Sequence, residues 1–157
     1  MTLGLKILSS PFAILALLTM GCSADAQNTS PDVIGQVYNT IYWSDGDSGR
    51  LDGLKFRLAN IDAPETGRLG QRSGAKCELE IERGFEAKGF IVELTRGAEL
   101  MIIKDYGEDR YGRLVIDLAA DGKDVARAGV KAGVLGDWPH KNGRALQEKP
   151  DWCATDK

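Results

Sequence analysis

The sequence has little of several features that would place it in a common class of proteins. It contains one histidine and three cysteines in 157 residues, so a metal centre built from histidine and cysteine ligands is not expected. Its longest apolar run, Phe12 to Met20, is much shorter than the ~20 residues that a membrane-spanning helix requires. With a net charge of −3, the chain also lacks the basic excess typical of general nucleic-acid binders. Any contact with a polynucleotide would therefore have to be local.

The first 26 residues are typical of a secretory signal peptide. A lysine precedes the apolar run, and Ala24 and Ala26 supply the small-residue pattern read by the processing enzyme. We therefore expect cleavage near Ala26 and a secreted or periplasmic protein without a transmembrane segment. A lipid anchor at Cys22 is the alternative, because residues 18–22 loosely resemble a lipoprotein signal, with threonine where leucine is usual.

Two cysteines, Cys77 and Cys153, remain after residues 1–26 are removed. In an oxidising compartment such a pair is more often a disulfide than two free thiols. We therefore predict a Cys77–Cys153 bridge that holds the C-terminal tail against the domain, with Trp152 packed around it. Two unpaired thiols are the alternative.

The remaining chain predicts a single α+β domain over residues 33–153. Runs of β-branched and aromatic residues predict strands, and apolar residues at helical spacing predict helices. The predicted strands are 33–43, 54–61, 99–104 and 113–119, and the predicted helices are 77–95 and 124–134. Short strands in succession favour a sheet that closes on itself.

Carboxylates concentrate where two of these strands end. Asp47, Asp62 and Glu65 could together form a site of hard oxygen ligands, which suits calcium or magnesium. The Asp-Gly-Asp triplet at 45–47, taken alone, is more often an ordinary turn. Strand alternation puts Arg57 and Asp62 on opposite faces, so the chain must bend between them if both serve one site.

Three motifs in this chain resemble those of the staphylococcal nuclease family and occur in the family's order. They are D-G-D-S at 45–48, F-R-L-A-N-I-D-A-P-E at 56–65 and D-R-Y-G-R-L at 109–114. The resemblance implies a five-stranded OB-fold-type β-barrel with flanking helices. It also implies a monomeric, calcium-dependent nuclease that hydrolyses DNA or RNA and needs no protein partner. Other divalent ions and the preference between DNA and RNA stay open.

The resemblance also implies a calcium site and a base. Asp47, Asp62 and the main-chain carbonyl of Ala63 match the ligands of one calcium ion. Glu65 matches the general base that activates water for attack on phosphorus.

Two arginines, Arg57 and Arg113, match the pair that grips the phosphate through planar guanidinium groups. Arg110 and Tyr111 match residues that hold a terminal phosphate near the base pocket. Arg57 could instead be an ordinary salt-bridge partner of Asp62 or Glu65, and Arg113 could be a surface residue.

The chain departs from the family pattern after its second helix, over residues 133–139. Trp138 is a candidate for base stacking there, and the single histidine, His140, is interpreted as a surface residue. A module that binds nucleic acid or another anionic polymer without cutting it is the alternative function. Retention of Glu65 and both arginines favours the nuclease, and no residue supports a role in polysaccharide production.

Overall fold

The computed structural model describes Met1 and residues 33–155. The predicted signal peptide, apart from Met1, lies outside these residues, and so does Cys22. No helix within the described part of the chain is long and apolar enough to cross a membrane.

The described residues form two helices and eleven short strands. The helices are α1 (Glu78–Thr95) and α2 (Val125–Ala132). The strands are β1 (Val37–Tyr38), β2 (Ile41–Trp43), β3 (Ser48–Leu51), β4 (Leu54–Leu58), β5 (Ile61–Asp62), β6 (Leu100–Glu108), β7 (Leu114–Ala120), β8 (Lys123–Asp124), β9 (Gly136–Asp137), β10 (His140–Lys141) and β11 (Arg144–Ala145).

Seven strands form the main sheet, in the order β1-β6-β7-β4-β3-β2, with β8 paired to β7. β4 and β7 are parallel, with Arg57 opposite Val115, and the other named pairs in this sheet are antiparallel. A mixed sheet with two helices confirms the predicted α+β class. The ladder of the described strands does not close, so the five-stranded barrel is not confirmed. The two ends of the strand path, β1 and β2, are nevertheless separated by only Asn39 and Thr40.

β3 is a strand that lies outside the predicted strands. Its residues, Ser-Gly-Arg-Leu, have weak strand preference, but the chain turns back on itself immediately afterwards. Asp52 and Gly53 adopt positive φ angles of 45° and 88°, and Leu51 then pairs with Leu54. An Asp-Gly pair between two strands is the signal for such a hairpin, and the tertiary pairing on both sides of β3 outweighs its composition.

The hydrophobic core lies between the sheet and the helices. Its largest fully buried apolar side chains are Phe56, Leu51, Leu58, Ile61, Ile91, Ile102, Ile116, Leu118 and Val125. Trp43 contacts Phe56 edge to face at 5.0 Å, and its indole N–H donates to the hydroxyl of Thr95 at 3.0 Å. This bond ties β2 to the last turn of α1, so the helix is fixed across the sheet.

Residues 136–155, which we call the C-terminal strap, run along the edge of the domain where β5 lies. β9 pairs with β5, placing Gly136 opposite Asp62. The predicted Cys77–Cys153 disulfide is present and joins the strap to the N-cap of α1. Arg83 on α1 also donates to the carbonyls of Trp152 and Ala154, at 2.6 and 2.9 Å. The strap is therefore held at β9 and at its C-terminal end.

Candidate active site

The bend required between Arg57 and Asp62 is a turn at residues 59–60. β4 ends at Leu58, and Asn60 takes a left-handed conformation with φ of 58°. Asparagine tolerates this conformation better than most residues because its short amide side chain can hydrogen-bond locally. The turn interrupts the strand alternation, and a guanidinium nitrogen of Arg57 lies 3.7 Å from a carboxylate oxygen of Asp62.

The Asp-Gly-Asp triplet is both a turn and a means of burying Asp47. One oxygen of Asp45 accepts hydrogen bonds from the main-chain N–H groups of Asp47 and Ser48, at 3.1 and 2.8 Å. A Cβ on Gly46 would lie 3.0 Å from the Cβ of Ala63 and 3.1 Å from that of Ala87. Glycine therefore lets the turn approach both β5 and α1 closely, and Asp47 is carried inward.

Asp47 and Asp62 converge on the same guanidinium group. One guanidinium nitrogen of Arg57 lies 3.1 Å from a carboxylate oxygen of Asp47 and 3.7 Å from one of Asp62. Both aspartates are buried, with Asp47 8% exposed and Asp62 1% exposed. Arg57 is thus an ion-pair partner of both aspartates in this structure. Buried charges need such compensation, since desolvation of an unpaired carboxylate is costly.

Compensation at Asp47 is incomplete. Burial raises the pKa of Asp47 to about 8, even though Arg57 lowers it, and the negative charges of Asp45 and Asp62 raise it further. A carboxylate in this state gains from any additional positive charge brought close to it.

Glu65 is positioned by α1. A Cβ on Gly84 would lie 2.7 Å from the carbonyl oxygen of Glu65 and 3.0 Å from that of Pro64, so only glycine allows this approach. The buried carboxylate of Glu80 accepts hydrogen bonds from the N–H of Lys76, at 2.7 Å, and from that of Glu65, at 3.5 Å. The helix therefore fixes the main chain that carries Glu65.

The environment of the Glu65 carboxyl raises its pKa. Partial burial is the largest cause, Lys149 acts in the opposite direction, and Asp45, Asp62 and Glu80 raise the pKa further. A carboxylate whose pKa is moved toward neutrality is a better proton acceptor, which suits a general base.

The strap covers one side of the site, where it contacts the carboxylates of Asp62 and Glu65. The indole N–H of Trp152 donates to Asp62 at 2.8 Å, and the ammonium of Lys149 lies 3.1 Å from Asp62 and 3.8 Å from Glu65. The ring of Trp138 lies 5.5 Å from the guanidinium carbon of Arg57 and 5.9 Å from the ammonium nitrogen of Lys149. Trp152, expected only to pack around the disulfide, thus also contacts a candidate ligand.

Arg113 belongs to a second cluster, before the start of β7. Its Nε donates a hydrogen bond to a carboxylate oxygen of Asp109 at 2.8 Å, and a second guanidinium nitrogen forms an ion pair with the same oxygen at 2.7 Å. Tyr111 lies beneath it, with the ring centroid 5.4 Å from its guanidinium carbon, and Arg110 donates to the Tyr111 hydroxyl at 2.7 Å. Burial would raise the pKa of Asp109, but its hydrogen bonds from Arg113 and Tyr111 hold the pKa below the usual range. Asp109 therefore stays ionised and orients Arg113.

A cleft of about 480 Å³ adjoins both clusters, since Arg57 and Asp109 both line it. Its walls include the Asn60 turn, Tyr106 from β6 and His140 from the strap. The main-chain N–H of His140 donates to the side-chain oxygen of Asn60 at 3.0 Å. The strap therefore forms part of this cleft, and His140 is exposed within it. Within the described residues, Arg57 and Arg113 belong to different clusters and share no hydrogen-bond or ion-pair partner.

The donor set at Asp47 and Asp62 fits a hard divalent ion. Carboxylate oxygens are the ligands that calcium and magnesium prefer, and the carboxyl groups of Asp47 and Asp62 lie beside the same nitrogen of Arg57. Burial raises the pKa of Asp47, so that group would gain from the charge of an ion. Among the described residues, no group of three or more histidine, cysteine, aspartate or glutamate side chains is arranged to hold a metal ion. Further ligands would have to be main-chain oxygens, such as that of the buried Ala63, or water.

Sequence reasoning missed Lys149, Glu80 and the structural role of Asn60. Glu80 and Asn60 carry no distinguishing local pattern, because a glutamate on a helix and an asparagine in a turn are both common. For Lys149 there was one usable signal. The predicted disulfide fixes Cys153 beside the start of α1, which brings the residues just before it near the Glu65 segment.

Fold and site together define a small α+β domain with a carboxylate and arginine centre beside β4 and β5. Residues 55–145 match the family described as staphylococcal nuclease homologue. The match spans more than half of the chain, and the chain therefore belongs to that family. It includes Arg57, Asp62, Glu65 and Arg113, whereas Asp47 and Lys149 lie outside it. No curated protein matches the chain.

Proposed function

We propose that this protein is an exported, calcium-dependent nuclease that hydrolyses phosphodiester bonds in DNA, RNA or both. One observation carries the proposal: the carboxyl groups of Asp47, Asp62 and Glu65 lie together, each within ion-pair distance of Arg57, of Lys149 or of both. Membership of the staphylococcal nuclease homologue family supports it.

Glu65 is the proposed general base. It takes a proton from a water molecule, and the resulting hydroxide attacks phosphorus in line with the departing 5′ oxygen. The bond between phosphorus and that oxygen breaks, the oxygen takes up a proton, and a 3′-phosphate remains on the other product. Partial burial supports this role because it raises the pKa of Glu65.

Arg57 and Arg113 are the proposed phosphate-binding groups. Each presents a planar, permanently charged fork of donors that matches two phosphate oxygens, and lysine would not reproduce that geometry. Charge grows on these oxygens in the transition state, so fixed donors there lower the barrier. The hydrogen bond and the ion pair with Asp109 hold the Arg113 guanidinium in place before substrate arrives.

Asp47, Asp62 and the main-chain carbonyl of Ala63 would hold a calcium ion, with magnesium or manganese as alternatives. When bound, such an ion supplies positive charge that polarises the phosphoryl group. The raised pKa of Asp47 supports this assignment, because the carboxylate is short of counter-charge without it.

The cleft beside Arg57 is the proposed place for the nucleotide next to the cleaved bond. Arg110 and Tyr111 would contact its terminal phosphate, and Trp138 offers an aromatic ring for a base. We also propose that the sheet is an OB-type barrel. If β1 and β2 are taken as one bent strand, they form with β3, β4, β6 and β7 a five-stranded ring, and such barrels bind oligonucleotides.

The test is release of acid-soluble nucleotide from single-stranded DNA and from RNA by the mature protein, with calcium, with magnesium and with a chelator. We expect calcium-dependent release that Glu65→Gln reduces by at least about 100-fold, the range expected for a general base. Glu86→Gln, an exposed carboxyl on α1, is the matched control and should retain activity.

Binding without cleavage is the second candidate function. It is favoured by one observation, namely that Arg57 and Lys149 form ion pairs with the carboxylates that a catalytic ion would need. Retention of single-stranded DNA by folded protein, with no release under any ion, would establish this alternative and refute the nuclease.

Export follows from the signal-peptide pattern of residues 1–26 and is equally a proposal. Expression of the full chain with the first 26 residues intact should yield a protein in the periplasm or medium whose sequence begins at Gln27. A lipid-modified N-terminus at Cys22 would instead identify a lipoprotein.

A further inference from the structure

Lys149 contacts the proposed site, but the proposed nuclease chemistry gives it no role. Its ammonium nitrogen lies 3.1 Å from Asp62, a proposed calcium ligand, and 3.8 Å from Glu65, the proposed base. The same Asp62 carboxylate is 3.7 Å from Arg57. A strap residue therefore supplies positive charge between two groups of the proposed site.

The main chain around Lys149 is anchored, but its side chain is not enclosed. A Cβ on Gly136 would lie 2.6 Å from the Pro150 ring, so the strap packs tightly one residue after Lys149. Trp152 is buried and bonded to Asp62, and Cys153 is covalently joined to Cys77. The Lys149 side chain itself is 37% exposed and has four rotatable bonds, so its ammonium can leave without moving the strap.

We propose that Lys149 is a tethered counter-cation of the Asp62 and Glu65 carboxylates, and that a divalent ion must displace its ammonium to bind. The inference rests on the proposed calcium site. Asp62 is 1% exposed, so water and dissolved ions cannot stabilise the charge of its carboxylate. In the metal-free protein, Lys149 and Arg57 supply the compensating positive charge. A divalent ion would then replace a single positive charge by a double one on the same oxygens.

This exchange makes Lys149 a determinant of ion affinity. The ion gains its contacts with the carboxylates only after the Lys149 ion pairs with Asp62 and Glu65 are broken. Ion affinity in the natural protein is therefore lower than the carboxylates alone would give. Lys149 also holds Asp62 and Glu65 in one place while no ion is bound.

The experiment measures calcium binding directly, by titration calorimetry and by terbium luminescence sensitised by the nearby tryptophans, on the mature disulfide-bonded protein. The variants are Lys149→Gln, which removes the charge, and Lys149→Arg, which keeps it. Lys141→Gln is the matched control, because Lys141 is an exposed lysine on β10 of the same strap. Circular dichroism and the melting temperature establish that each variant is folded.

We expect Lys149→Gln to bind calcium about two- to fivefold more tightly, the effect of removing a partly exposed ion pair. Lys141→Gln and Lys149→Arg should stay close to the unaltered protein. Equal affinity in Lys149→Gln and Lys141→Gln would overturn the inference, and so would weaker binding in Lys149→Gln. Both results leave the proposed nuclease intact, because its test is nucleotide release and the Glu65→Gln variant. Absence of ion binding in every protein would refute the inference and the calcium site together, whereas nucleotide release in chelator would then preserve a metal-independent nuclease.

Discussion

At the scale of single residues, the site depends on carboxylates that are buried before any ion is bound. Asp47 is the clearest case, because burial raises its pKa to about 8 although Arg57 lies 3.1 Å away. Evolution of a stable core alone would favour an apolar residue at such a position. An ionisable side chain at such a buried position is therefore an argument for function.

The raised pKa of Asp47 predicts how stability depends on pH. Its ordinary value is 3.8, so between about pH 4 and about pH 8 the folded protein holds a proton that the unfolded chain releases. Stability contributed by this group is complete below about pH 4 and is lost as pH rises toward about 8, with a slope of at most about 1.4 kcal/mol per pH unit. Urea unfolding of metal-free protein across this range is the measurement.

Asp47→Asn should remove that slope, and saturating calcium should flatten it in the unaltered protein because the ion supplies the missing charge. Glu86→Gln, an exposed carboxyl, should leave the slope unchanged. An identical pH dependence in Asp47→Asn and the unaltered protein would contradict the assignment.

Arg113 is expected to contribute to catalysis and not to the stability of the fold. It is partly exposed before β7 and bonded to Asp109, so Arg113→Ala should leave the protein folded and still able to bind calcium. Loss of a fixed donor to the charged phosphate should lower kcat by about 10²–10³. Steady-state cleavage of single-stranded DNA is the measurement, and unchanged turnover would remove Arg113 from the mechanism.

Arg113→Lys separates charge from geometry at this position. It keeps the positive charge but loses the two-nitrogen contact with Asp109, so we expect most of the activity to be lost there as well. Full activity in Arg113→Lys would mean that the fixed fork is not needed.

At the scale of elements, the helices were predictable because their signals are local. The apolar spacing predicted 77–95 and 124–134, and α1 and α2 occupy Glu78–Thr95 and Val125–Ala132. β3 was not predictable in this way, because its pairing with β2 and β4 decides its conformation. The bend before Asp62 was recognised as necessary, but the Asn60 conformation that supplies it is not specified by any periodic pattern.

Two glycines on α1 provide a matched test of how this helix places Glu65. At Gly84 a Cβ would collide with the carbonyls of Glu65 and Pro64, whereas at Gly89 it would meet nothing within 4 Å. Gly84→Ala should displace the Glu65 segment and lower kcat by about tenfold or more, since small displacements of catalytic groups are costly. Gly89→Ala should keep full activity and gain up to about 1 kcal/mol from the better helix propensity of alanine.

Both variants are assayed for nucleotide release and for urea unfolding. Full activity in a folded Gly84→Ala protein would refute the proposal that close approach of α1 positions Glu65. Equal loss in both variants would point instead to a general sensitivity of the helix.

At the scale of the whole molecule, the family and the disulfide were accessible from sequence. The disulfide also places the end of the strap near α1, but the individual contacts of the strap were not predictable. Motif order identifies the family, and an even pair of cysteines suggests a bridge. The contact of Lys149 with Asp62 follows from tertiary packing of a tail that has no periodic pattern. The strand order of the sheet is similarly a property of the assembled strands, since β1 and β2 each pair with a different neighbour.

The Cys77–Cys153 disulfide is expected to stabilise the molecule as well as hold the strap. It spans a sequence separation of 76, for which loop-closure entropy gives about 4.5 kcal/mol, and measured losses range over about 2–5 kcal/mol. The double variant Cys77→Ser, Cys153→Ser should therefore unfold at a melting temperature lower by about 10 °C or more. Because Arg83 and β9 still hold the strap, the folded double variant should keep Trp152 buried at low temperature. Quenching of tryptophan emission by acrylamide measures whether Trp152 stays buried. Protection equal to that of the oxidised protein would show that the disulfide stabilises a strap that is already docked. Increased quenching in the folded double variant would show that the strap depends on the disulfide for docking.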